Sequence, residues 1–98
     1  SEPARLVLLA VAEHDLKHAA ASQQALETLL AKYAKDAPYR IAEVYAWRGD
    51  RDQAISWLER AYTQHDRFLR FLKFNPLLRQ LRDDPRYSAL LRKMGLPE

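Results

Sequence analysis

The stretch that most constrains this chain is residues 38–64, PYRIAEVYAWRGDRDQAISWLERAYTQ, which reads as two amphipathic helices folded back on each other across Arg48-Gly49-Asp50. Apolar Ile41, Val44 and Tyr45 recur at i, i+3, i+4, with small Ala42 between them. Ala54, Ile55, Leu58, Ala61 and Tyr62 repeat at i, i+1, i+4, i+7, i+8. Each spacing is that of a helix with one buried face. Gly49 is the only glycine before residue 95, and it supplies at low cost the left-handed residue that ends a helix. Asp50 or Asp52 can cap the helix that follows.

The flanking segments are helical by the same reasoning. Ser1-Glu2-Pro3 fits a helix start. Residues 6–12, LVLLAVA, then leave no polar face for two turns, and a helix apolar all round should be buried all round. At the end of a short helical stack one side of it faces a missing neighbour or a second molecule. Leu8 and Val11 are therefore candidate self-association residues. After a break at 14–17, residues 19–33 set Ser22, Leu26, Leu29, Leu30 and Tyr33 on one stripe. Asp66 can cap a short helix over 67–73, with Phe68, Leu69, Phe71 and Leu72 expected on one side. Asn75-Pro76 and Asp84-Pro85 repeat one device, a capping residue followed by proline in the first turn. They start helices over 76–82 and 85–94, the latter with Tyr87, Leu90, Leu91 and Met94 inward and Gly95 at its C-terminal cap.

These residues carry a resemblance. The tetratricopeptide repeat (TPR) sets an aromatic, a Leu-Gly pair and a Tyr on its first helix, an Ala and an aromatic on its second, and a closing Pro. At matching spacing stand Pro38, Ile41-Ala42 and Tyr45, then Ala54 and Leu58, with Asp66 at the closing position. The chain thus resembles a TPR protein over about 30 residues, and residues 1–34 are similar to a degenerate copy, with Leu9-Ala10 as its large-small pair. The segments IAEVYAWRGD and DPRYSALLRKMGLP also look like the C-terminal TPR segment of larger bacterial regulatory and signalling proteins. The resemblance implies an all-α, right-handed α-solenoid of TPR-like hairpins with short C-terminal capping helices. It divides a single domain into 1–34, 35–66 and 67–98, within a longer cytoplasmic protein. It further implies a concave groove that receives a peptide or partner protein. Tyr39, Glu43 and Trp47, spaced i, i+4, i+8, would line that groove, with Arg40, Arg70 and Lys73 as rim charges. The alternative is that the C-terminal helices cover this face and bury Trp47.

Composition supports helix and argues against chemistry. Two glycines, abundant Ala, Leu, Arg and Glu, and no period-two alternation leave no expectation of a sheet. With no cysteine there is no disulfide framework and no thiolate ligand. His14 and His18 are four apart but straddle an expected turn, so no metal site is expected. The four serines show no nucleophile turn, and two isolated glycines cannot form a phosphate loop. Asp50, Asp52, Asp83 and Asp84 sit at helix starts, where the helix dipole explains them. The expectation is a non-catalytic protein without cofactor. The longest apolar run, seven residues, is far short of a membrane span. FLRFLKF, residues 68–74, is too short for a membrane-surface anchor and reads as core. Residues 1–66 hold 8 Lys and Arg against 10 Asp and Glu, residues 67–98 hold 8 against 3, and the whole carries +3. A basic end of this kind usually keeps an apolar segment soluble. Nucleic-acid contact by this third is a minor alternative, since no motif frames it. The expected partners are a protein or peptide, with a homodimer through the first helix as the structural alternative.

Overall fold

Local punctuation sets the element boundaries in the computed structural model, which describes residues 1–96. The expected closing segment, 67–98, is therefore seen to residue 96; its last two residues lie outside the described ones. Five α-helices form, α1 (Glu2–Asp15), α2 (Ala19–Tyr33), α3 (Pro38–Trp47), α4 (Arg51–Thr63) and α5 (Pro85–Met94). Two 3-10 helices, Arg67–Phe74 and Pro76–Leu81, lie between α4 and α5, and no strand occurs among the described residues. Ser1 Oγ accepts from Ala4 N at 3.4 Å, Asp50 Oδ1 from Gln53 N at 3.3 Å and Asp84 Oδ1 from Arg86 N at 2.9 Å. Each bond satisfies one of the amides that a helix start leaves open. Gly49 (φ 84°) and Gly95 (φ 74°) take the left-handed conformation expected of them. Lys17 (φ 64°) and His65 (φ 59°) do the same after α1 and α4 without being glycine.

Packing centres on α3. Helices α1 and α2 pair, as do α3 and α4, and α3 also packs against α1, α2 and Pro76–Leu81. Helix α4 touches Arg67–Phe74 on one side and α5 on another. Ala42, Ala46, Ala54 and Ala61 are all sealed, so the α3–α4 backbones approach closely over small side chains. Leu26, Leu29, Ile41, Leu58, Leu78 and Leu81 fill the space between elements. Ser22, buried among them, donates its hydroxyl to Ala10 O at 2.8 Å and so leaves no polar atom unpaired. The radius of gyration, 12.7 Å, is what about 100 packed residues should give.

Helix α1 buries Leu6, Val7 and Ala10 and half-buries Val11, while one side is left uncovered, with Leu8 68% and Leu9 41% exposed. Helices α2 and α3 pack on it. Two sequence expectations are corrected. Tyr45 is half-buried and Tyr62 exposed rather than core, while Trp57 beside that stripe is buried. Phe68, Leu69, Phe71 and Leu72 do not share one side, because their helix is 3-10 and not α.

Candidate functional site

The face of α3 expected to line an open groove is occupied by the chain itself. Asn75 precedes a proline and is therefore extended (φ −85°, ψ 113°), which carries its side chain over α3. Its Nδ2 donates to Tyr39 Oη at 2.8 Å and to Glu43 Oε2 at 2.6 Å, while its Oδ1 accepts from Leu77 N at 2.9 Å. Arg40 Nη1 donates to the other Glu43 oxygen at 3.0 Å. Asp66 accepts from Phe68 N at 3.0 Å through one oxygen and from Tyr39 N at 3.1 Å through the other, so one carboxylate caps two helices. Tyr39 and Glu43 end 1% and 3% exposed. The reading of these two as open groove residues is thus corrected: the C-terminal segment lies on them, and helical periodicity does not reveal what docks there. Burial raises the Glu43 carboxyl above its ordinary range against the opposing bonds from Asn75 and Arg40, and it pushes the Tyr39 phenol up to about 12.

Trp47, at the far end of α3, is half-buried and donates Nε1–H to Asp15 Oδ1 at 2.8 Å. Next to it Arg48 donates Nη2–H to Gln23 Oε1 at 3.1 Å, with its Nη1 buried and unpartnered. These bonds fasten α3 to the first helical pair. Trp47 is not brought together with Arg70 or Lys73.

What remains open beside the filled face is a shallow hollow of about 370 Å³. Tyr39, Arg40 and Asn75 form part of its wall, and Phe68, Phe71, Phe74 and Pro76 form the rest. Phe71 is 48% and Phe74 80% exposed, against the expectation that this stretch is core. The reason lies in a signal the helical reading missed. Residues 67–74, RFLRFLKF, repeat every three residues. In a 3-10 helix side chains at i and i+3 eclipse, so a period of three produces straight edges. Leu69 and Leu72 form the buried edge. Phe68, Phe71 and Phe74 form an aromatic ridge with rings about 6 Å apart along the axis. Arg67, Arg70 and Lys73 form the third edge. Guanidinium groups rest on the rings, Arg40 over Phe68 at 4.7 Å and Arg70 over Phe71 at 4.9 Å, which holds the ridge in place. Of the expected site residues, the hollow thus joins Tyr39 and Arg40. Glu43, Arg70 and Lys73 are not among its walls, and Arg70 meets it only through the Phe71 ring on which its guanidinium rests.

No three His, Cys, Asp or Glu side chains meet in a metal-holding arrangement among the described residues, and His18 is engaged with Glu13 at 2.7 Å. No helix among those residues is long and apolar enough to cross a membrane. Comparison with family models, with curated proteins and with solved structures finds no match to the chain.

Proposed function

We propose that this chain is a non-catalytic protein-interaction module, a TPR-like right-handed stack of two hairpins closed by short helices within a longer polypeptide. Its recognition surface is the hollow between α3 and the aromatic ridge. The observation that carries this is the exposure of Phe71 and Phe74 on a helix whose other two edges are anchored or charged. Rigid, exposed rings around a shallow cavity favour an apolar anchor side chain from a partner, with Arg40 available at the wall for a carbonyl or carboxylate. The test is selection of random peptides on the immobilised chain, followed by mapping of the winners by amide chemical shifts. Enriched peptides should perturb the amides of residues 68–76, and Phe74→Ala should weaken them at least tenfold. If no sequence is enriched, or if Phe74→Ala leaves binding unchanged, this reading fails.

A second reading rests on α1, where Leu8 and Leu9 are 68% and 41% exposed, with Leu16 just past its end 63% exposed. Such an outer face supports self-association or capping of a longer helical array, with Leu8 central and Val11 at its border. Light scattering over a tenfold concentration range should then show a dimer that Leu8→Glu reduces to a monomer. A monomer at all concentrations removes this reading.

A further inference from the structure

None of the three cations of the Arg67–Phe74 helix is in the wall of the aromatic hollow, although Arg67 and Arg70 lie over the rings of Phe68 and Phe71. The three face α5 across two other hollows, one at each end of that helix pair. The larger, about 540 Å³, takes Arg67 and Arg70 from the 3-10 helix and Lys93 and Met94 from α5. The smaller, about 330 Å³, takes Lys73 from the 3-10 helix, Arg82 from the linker, and Tyr87 and Leu91 from α5. Between them they hold five cations. Among the described residues the one carboxylate in either wall is Asp66, whose two oxygens each accept a backbone amide. Among the described residues none of the five makes an ion pair; Arg67 and Arg70 rest on the rings of Phe68 and Phe71, Lys93 lies over Tyr62, and Arg82 donates to Lys73 O at 3.4 Å.

We infer that the cleft between the Arg67–Phe74 helix and α5 is a binding site for an acidic peptide segment, one with carboxylates on both sides of an apolar residue. This goes beyond the aromatic hollow, which lies on another edge of the same helix. Among the described residues, five cations against the single carboxylate of Asp66 create a positive potential that an anionic partner relieves. Their placement fixes its length. From Tyr87 to Met94 helix α5 rises about 10 Å, so a single small anion fills one hollow only, while three or four extended residues reach both. Among the cations stand the edges of buried Leu69 and Leu91 and the half-buried Met94, which give one apolar side chain a contact that a second phosphate would not use. Nucleic acid would need free ring faces here. The exposed rings of Phe71 and Phe74 line the other hollow, Tyr87 is buried, and Tyr62, the one partly open ring here among the described residues, has the Lys93 ammonium over it at 5.7 Å.

The experiment is fluorescence anisotropy of the full chain with a fluorescein-labelled peptide of alternating Glu and Leu. The same peptide with Lys for Glu, and an oligothymidylate, serve as rivals. The acidic peptide should bind in the micromolar range, weaken as salt is raised, and weaken at least tenfold in the double variant Arg70→Glu/Lys93→Glu, while Arg70→Lys preserves binding. Thermal melting of the charge-reversed variant checks that it is folded, and Arg82→Gln offers an independent lesion if it is not. Phe74→Ala should leave this binding intact, so that the cleft and the aromatic hollow succeed or fail separately. No anisotropy change with the acidic peptide, equal binding of the Lys peptide, tighter binding of oligothymidylate, or indifference to both charge lesions would each overturn the inference.

Discussion

Asn75 shows how much one side chain can decide. It caps the Pro76–Leu81 helix and at the same time supplies both protons of its amide to Tyr39 and Glu43. Asn75→Ala should cost about 2–4 kcal/mol in urea unfolding, since it removes a cap and leaves a buried carboxylate oxygen and a buried hydroxyl short of a partner. Tyr39 makes the stability depend on alkaline pH. Its phenol is held neutral to about 12, while in the unfolded chain it loses its proton near 10. The folded state therefore binds the extra proton between those values. The stability is fully present below pH 10 and is lost as pH rises through 12. Tyr87, also raised by burial, adds to the fall. The urea midpoint should drop over that window, and less steeply in Tyr39→Phe. The spacing of residues 38–47 names a helix face and allows the C-terminal helices to cover it only as an alternative, and nothing in it singles out Asn75. His65 and Lys17, left-handed without being glycine, carry no sequence signal either.

At the level of elements, boundaries were readable because the chain marks them chemically. Pro38, Gly49-Asp50, Asn75-Pro76, Asp84-Pro85 and Gly95 stand where helices begin or end. The burial pattern of residues 67–74 was misread because a window tuned to 3.6 residues blurs a repeat of three. That repeat is visible in the letters once the 3-10 geometry is known. It predicts a contrast that an α-helix would not give. Leu72→Ala, on the buried edge, should destabilise by about 2–5 kcal/mol. Phe74→Ala, two positions on, should change stability by less than about 0.5 kcal/mol despite deleting the larger side chain. Paired thermal or urea melts decide the matter, and equal losses would mean that the ridge is packed rather than presented.

Across the whole molecule, charge and apolar exposure are segregated. The exposed leucines of α1 stand at the start of the chain, the aromatic ridge and the cations of the cleft near its end, and the body between is closed around α3. Composition announced that imbalance, with the excess of positive charge confined to residues 67–98. Only the three-dimensional arrangement divides it into a ridge and a cleft on opposite edges of one short helix.

The double cap of Asp66 has a bearing on how the chain holds together in time. Because one carboxylate closes the first turn of α3 and the first turn of the following 3-10 helix, any movement of the Asp66 side chain loosens both starts. The amides of Tyr39 and Phe68, twenty-nine positions apart, should accordingly share a single opening event in native-state hydrogen exchange, and Asp66→Ala should accelerate both together. Exchange at Tyr39 that is unmoved by the substitution would show the two turns to open independently. If they open as one, α3 belongs to the same cooperative unit as the segment that follows α4, and a chain ended at residue 65 would lose protection from α3 inward rather than merely shed its tail.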